Sequence, residues 1–186
     1  MTEQQLVNRF VRSLCNKQSP WGTVKISLEF DYQRGRPDIL AVTEDGHLIA
    51  FEAKLTKWRE ALHQAYRNTS FAHSSYVVLP QEIALKAQRV DGEFARRKVG
   101  ICYVENEQIV IAFAAEKQPP LEPWLMKSAC AAIFQQNDSA RRSGRACEAA
   151  LPKARHGVRR ARWRGDLQAN LPRKASKRST HCSKVV

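Results

Sequence analysis

The chain has 186 residues, of which 43% are hydrophobic and 26% are charged, and its formal net charge is +13. Its length is that of a single domain, and no run of about 18 apolar residues is present that would make a membrane-spanning helix. The five cysteines are scattered without a Cys-x-x-Cys pair, which argues against a zinc site and against a disulfide framework. Together with a polar N-terminus that lacks a signal-peptide pattern, these features predict a cytoplasmic protein.

The positive charge is concentrated in the last quarter of the chain. Residues 1–136 contain 17 Lys and Arg against 15 Asp and Glu, whereas residues 137–186 contain 14 against 3. The second segment also has few large apolar side chains, so we expect a disordered basic tail behind a folded domain of residues 1–136. Four of its arginines are candidate nucleic-acid contacts: Arg159, Arg160, Arg162 and Arg164. The alternative is that this tail is an idle extension.

The first predicted element is a helix from Glu3 to Asn16. Thr2 and Gln5 have the spacing of a capping box. Apolar residues then recur at helical spacing and predict the buried side of the helix: Leu6, Val7, Phe10, Val11 and Leu14. Glu3 lies on that same side, three residues before Leu6. An acid in this position either faces a functional site or stabilises the helix dipole at its N-terminus.

After a strand over residues 24–30, the chain contains a predicted β-hairpin. Its strands cover residues 35–42 and 48–54 and are mostly apolar. The turn between them lies at residues 44–46, and Gly46 occupies the position where a three-residue hairpin loop needs a left-handed residue.

The form of this turn decides whether two acids meet. A two-residue loop places Asp38 opposite Ala53, whereas a three-residue loop ending at Gly46 places Asp38 opposite Glu52, with facing Cβ atoms about 5 Å apart. Unpaired charges on buried strands are expensive, and a divalent metal ion between the two carboxylates would supply the missing counter-charge. The plain alternative is an ordinary hairpin in which Lys54 forms a salt bridge with one of the acids.

The remaining elements alternate between helix and strand. They are a helix over 56–68 that Thr56 would cap, a strand over 75–79, a helix over 81–98 with Asp91-Gly92 as a candidate interruption, strands over 100–104 and 108–114, and a short helix over 124–135. Alternation of this kind predicts an α/β fold with a mixed central sheet flanked by helices. In the helix over 56–68, Lys57, Gln64 and Arg67 lie away from the apolar side, and Lys57 and Arg67 are candidate nucleic-acid contacts.

Pro37-Asp38 followed by Glu52-Ala53-Lys54 resembles the motif of the PD-(D/E)XK nuclease superfamily, which has the restriction-endonuclease-like fold. The order of elements over residues 2–114 also resembles that fold. The resemblance implies cleavage of phosphodiester bonds with Mg²⁺, or with Mn²⁺ in its place. It further implies that Asp38, Glu52 and the carbonyl of Ala53 are metal ligands, which are oxygen donors of the kind that Mg²⁺ prefers. Lys54 would position the attacking water.

The resemblance implies two further site residues. An acid on the first helix often completes the metal site in this superfamily, which makes Glu3 a candidate ligand. A glutamine on the helix after the Glu-x-Lys strand is another recurring element, which makes Gln64 a candidate catalytic or phosphate-contacting residue. Residues 63–68 nevertheless lack the Gln-x-x-x-Tyr pattern of the exonuclease branch.

The function expected from these features is a metal-dependent nuclease that acts on DNA. A one-domain nuclease usually needs a second copy or a partner to cut both strands of a duplex, so a homodimer is a candidate assembly. Two alternatives stay open at this point. One is a nuclease fold without catalysis that serves as a nucleic-acid-binding or regulatory module, and the other is an α/β domain that uses the hairpin only structurally.

Overall fold

The computed structural model describes residues 1–16, 18–28, 30–32 and 35–142, all within one compact unit, Met1–Lys153. In chain order the elements are α1 (Glu3–Leu14), β1 (Val24–Leu28), β2 (Ile39–Thr43), β3 (Leu48–Ala53), α2 (Trp58–Asn68), β4 (Ser74–Val78), α3 (Gln81–Gln88), α4 (Asp91–Arg97), β5 (Val99–Glu105), β6 (Gln108–Phe113) and α5 (Pro123–Arg142). The predicted basic tail beyond Arg142, with its four arginines, lies outside the described residues. None of the helices in the described ranges has the length and apolar character needed to cross a membrane.

The six strands form one mixed sheet in the order β1-β2-β3-β4-β5-β6. The strands β1, β2 and β3 pair antiparallel, β3, β4 and β5 pair parallel, and β6 returns antiparallel to β5. The two parallel pairs need crossover connections, which α2 and the α3–α4 segment supply. The predicted α/β fold with a mixed central sheet flanked by helices is therefore confirmed.

Alternate side chains of β2 and β3 enter two different cores, as the pleat of a strand requires. On one face Phe51 packs against α1, for example against Phe10. On the other face Leu40 and Ala50 pack against α5, for example against Ile133, and α2, α3 and α4 cover the β4–β5 part of the sheet. All residues of β3 are buried, so a charged residue on this strand lies inside the protein.

The hairpin turn has the predicted three-residue form. The N–H of Thr43 donates to the carbonyl of His47 at 3.1 Å, and the N–H of Gly46 donates to the carbonyl of Thr43 at 3.0 Å. Gly46 has a φ of +80°, in the left-handed region that glycine adopts without strain. The register that follows places Ile39 opposite Phe51, and Asp38 directly precedes β2.

Three of the predicted helix boundaries are wrong. The helix expected to be capped by Thr56 begins at Trp58, and Lys57 occupies the N-cap position without a side-chain capping bond. The helix over residues 81–98 is interrupted, as expected from Asp91-Gly92, but the break lies one residue earlier, at Val90, which has the non-helical angles φ −119° and ψ 39°. The helix α5 is longer than expected, because it was predicted to end at residue 135 and ends at Arg142.

The helix α5 continues to Arg142, past the boundary placed at residue 136. Asn137 donates from Nδ2 to the carbonyl of Ile26 at 2.9 Å. This bond ties the second half of α5 to the edge strand β1.

Candidate active site

Asp38 and Glu52 lie near each other at one end of the β2–β3 pair. The ladder ends with Ile39 opposite Phe51, Asp38 directly precedes β2, and its charge acts on the Glu52 carboxyl. The Oδ2 atom of Asp38 accepts a hydrogen bond from the backbone N–H of Ala53 at 2.8 Å. This bond holds the Asp38 carboxylate at the end of β3, next to the Glu52 side chain.

Glu52 is a buried acid whose side chain is difficult to ionise. It is only 4% exposed, and burial, together with the charge of Asp38, raises the pKa of Glu52 to about 8 against the opposing effects of Asn68, Lys54 and Arg67. Burial also raises the pKa of Asp38 above its ordinary value, although its backbone hydrogen bond and the charge of Lys54 oppose the shift. A cation held between these carboxylates would favour the ionised form of both.

Lys54 follows β3 directly and lies at the same end of the sheet. Its backbone N–H donates to the carbonyl of Val78, and its side-chain Nζ lies 3.1 Å from Oε2 of Glu3. The negative charge of Glu3 also raises the pKa of Asp38. The structure therefore brings Glu3, Lys54 and the two hairpin acids together. The helix that carries Glu3 begins with the capping box that was predicted at Thr2.

Asn68 and Tyr32 are residues of the site that the sequence reading did not identify. The Nδ2 atom of Asn68 donates to Oε1 of Glu52 at 2.7 Å, and the hydroxyl of Tyr32 donates to Oδ1 of Asn68 at 2.9 Å. One signal in the sequence was available: Asn68 lies three residues after Ala65 and seven after Ala61, so it continues the buried side of α2 with a polar side chain. Nothing in the sequence pointed to Tyr32.

Gln64 lies one helical turn before Asn68 on α2, a spacing that places both side chains on the same side of the helix. The side chain is partly buried. Within the described part of the chain, its Oε1 atom is buried without a hydrogen-bond partner. A buried acceptor of this kind is uncommon, and its position beside Asn68 suits a polar partner that enters the site from outside the chain.

The two basic residues predicted on α2 differ in their surroundings. Lys57 is exposed and its Nζ lies 3.0 Å from Oε1 of Glu60. Arg67 is also exposed, but its charge lowers the pKa of Glu52, which places it within electrostatic reach of the acids. Arg36 has the same effect on the pKa of Asp38, so an arginine accompanies each of the two carboxylates.

The donor set fits a hard divalent cation with few protein ligands. In the ranges that the structure describes, no group of three or more His, Cys, Asp or Glu side chains is arranged to hold a metal ion. Asp38, Glu52 and the carbonyl of Ala53 are oxygen donors at one strand end, and Mg²⁺ is commonly held by one or two carboxylates with water completing its shell. Glu3 is the third acid nearby, but its carboxylate contacts Lys54.

No family model and no curated protein matches the chain. Among solved structures, a protein of unknown function from Silicibacter pomeroyi matches with a TM-score of 0.55 and 15% sequence identity. The match covers 77% of this chain and 90% of that chain. At this level of identity the likeness shows a shared fold only, so function has to be argued from the site itself.

Proposed function

We propose that the protein is a metal-dependent nuclease that hydrolyses phosphodiester bonds, with DNA as its substrate. The observation that carries this proposal is the proximity of the Asp38 and Glu52 carboxyls at one end of β3, with Lys54 at the same end. Two carboxylates with raised pKa values are costly to the fold, and they are the ligands that Mg²⁺ or Mn²⁺ chemistry requires.

Each residue has a distinct role in this proposal. Asp38, Glu52 and the carbonyl of Ala53 would hold the cation, with Glu3 as a further ligand if its contact with Lys54 opens. A bound divalent cation lowers the pKa of the water molecule that it binds, and it neutralises negative charge on the phosphate. The ammonium of Lys54 is a compact charge that orients the attacking water and a phosphate oxygen.

The surroundings of the acids suit a phosphate-bearing substrate. Arg36 and Arg67 act electrostatically on Asp38 and Glu52 respectively, so positive charge is present on the approaches to an acidic centre. Such charges bind the phosphate backbone irrespective of sequence. Gln64 has a carbonyl oxygen without a partner among the described residues, and this oxygen would receive a hydrogen bond from a bound water or from the substrate. Lys57 is a further phosphate contact once its pair with Glu60 is released.

The decisive test is cleavage of a panel of single-stranded, duplex and branched DNA and of RNA, with and without Mg²⁺ or Mn²⁺. Wild-type protein should cut in a metal-dependent manner, and Asp38→Asn and Glu52→Gln should abolish cleavage because each removes one ligand charge. Glu82→Gln, an exposed acid in the first turn of α3, is the matched control and should cut normally. Binding without cleavage by the wild-type protein would replace the nuclease with a binding module.

We further propose that the protein acts in the cytoplasm and as a homodimer on DNA. Within the described residues, Cys102 and Cys130 form no disulfide, which suits the reducing cytoplasm. A homodimer on DNA would bring a second active site to the opposite strand of a duplex. Sedimentation with and without duplex DNA tests this assembly, and a monomer that makes double-strand breaks at low protein concentration would contradict it.

A further inference from the structure

We infer that Asn68 and Tyr32 are a positioning pair that orients the Glu52 carboxylate for the metal ion, an inference that rests on the proposed function. The two hydrogen bonds form one chain from Tyr32 through Asn68 to Glu52, with donor–acceptor distances of 2.9 Å and 2.7 Å. The ionised form of Glu52 only accepts, so the Asn68 amide presents its nitrogen to Glu52 and its oxygen to the Tyr32 hydroxyl.

The burial of Asn68 indicates that its amide group has a specific hydrogen-bonding role. The residue is 1% exposed and lies on the side of α2 where Ala61 and Ala65 pack into the protein. An apolar side chain there would avoid the cost of removing an amide from water, a cost that only its hydrogen bonds offset. An asparagine in this position is therefore explained by its partner Glu52 rather than by helix packing.

The bond from Asn68 also defines which Glu52 oxygen is free. Because Oε1 accepts from Asn68, one oxygen of the carboxylate is engaged and Oε2 is the atom left for a metal ion. The Tyr32 ring is held in turn by an edge-on contact with Phe71, with ring centroids 5.0 Å apart. A ligand fixed in this way loses little rotamer freedom when the metal binds, which is how outer residues raise metal affinity.

The test measures metal binding directly, by calorimetric titration of the whole chain with Mn²⁺ and with Mg²⁺ in the absence of DNA. Asn68→Ala should raise the metal dissociation constant roughly 10- to 100-fold, the usual effect of losing an outer partner of a ligand. Tyr32→Phe removes one hydroxyl and should raise it less, but in the same direction. Tyr66→Phe makes the same chemical change at a tyrosine of α2 that is 51% exposed, and it should change nothing.

The double variant separates positioning from ordinary packing. If Tyr32 acts through Asn68, then Tyr32→Phe should have little further effect on metal affinity in the Asn68→Ala background, whereas independent effects would add. In cleavage assays both single variants should lower kcat and leave the KM for DNA unchanged. Tyr32→Phe keeps the ring contact with Phe71, so it provides a folded variant even if Asn68→Ala unfolds.

Failure of this inference is distinct from failure of the proposed function. If the wild-type protein binds metal and Asp38→Asn abolishes binding, but Asn68→Ala and Tyr32→Phe bind as the wild type does, the positioning pair is wrong and the metal centre stands. Additive effects in the double variant would also overturn it. If the wild-type protein binds neither Mn²⁺ nor Mg²⁺, the metal centre and the positioning pair are both wrong.

Discussion

The Nζ atom of Lys54 lies 3.1 Å from Oε2 of Glu3, so one ion pair joins the first turn of α1 to the residue that follows β3. The two side chains are 20% and 49% exposed, and pairs in contact with solvent contribute little to stability. The pair matters instead for orientation, because it ties the proposed catalytic ammonium to a helix that packs on the opposite sheet face from α2.

Removing this ion pair should therefore affect cleavage more than stability. Glu3→Gln should lower the free energy of unfolding by less than about 1 kcal/mol, whereas single-turnover cleavage should fall roughly 10- to 100-fold because Lys54 loses its orientation. Glu116→Gln breaks an exposed pair with Lys98, at 2.8 Å, to which no role in the site is assigned, and is the matched control. Urea titration and quenched-flow cleavage measure the two effects, and equal cleavage by Glu3→Gln and wild type would exclude the orienting role.

Lys54 should be separable from the metal ligands. Lys54→Ala should retain or tighten metal binding, because a positive charge beside the cation is removed, while cleavage falls by about 10²–10⁴. Lys54→Arg should not restore full activity, since the planar guanidinium does not replace a compact ammonium. Calorimetric Mn²⁺ titration alongside single-turnover kinetics measures both properties. Full activity of Lys54→Ala would reduce Lys54 to the salt-bridge partner of Glu3.

Glu52 should make the metal-free protein less stable at high pH. Its pKa is raised from an ordinary value of 4.5 to about 8, so its favourable contribution is complete below about pH 4.5 and is lost as the pH rises through about 8. Glu52→Gln should remove this loss, with a gain on the order of a few kcal/mol at pH 9. Urea unfolding in EDTA at pH 5, 7 and 9 measures it, and Glu82→Gln should retain the wild-type slope.

Two truncations should distinguish the tail from the end of α5. Removing residues 143–186 should leave the melting temperature unchanged, weaken DNA binding and flatten its salt dependence, because fewer counterions are released. Removing residues 137–186 also deletes Asn137 and its bond to Ile26, and should lower the melting temperature. Differential scanning calorimetry and salt-series binding assays test both. An unchanged salt slope in the shorter truncation would mean that the tail is idle.

The residues of the hairpin were predictable because local rules determine them. Gly46 selected the three-residue turn, and the turn then fixed the register that pairs Ile39 with Phe51, next to the two acids. Glu3 was predicted from helical spacing, although its contact with Lys54 rather than with the hairpin acids was not. These patterns involve residues that are close together along the chain, so they can be recognised from a single sequence.

The missed residues depend on tertiary packing instead. Tyr32 reaches Asn68 across 36 positions of the chain, and no periodicity encodes such a contact. The missing cap at Thr56 also lies beside a tertiary contact, the stacking of Trp58 on Phe94, and such contacts override weak local preferences.

Asp38 and Glu52 are separated from the turn by the same number of residues. Asp38 lies five residues before Thr43, and Glu52 lies five residues after His47, while Thr43 and His47 bond to each other. Extra residues between Thr43 and His47 would lengthen the loop without separating the acids, so an affinity tag or a fluorescent probe inserted there should be tolerated. One residue added to a single strand would instead turn an acid to the other face. A search for distant relatives should therefore require that both acids lie the same number of residues from the turn. It should leave the length of the turn, and so the total spacing between the acids, free.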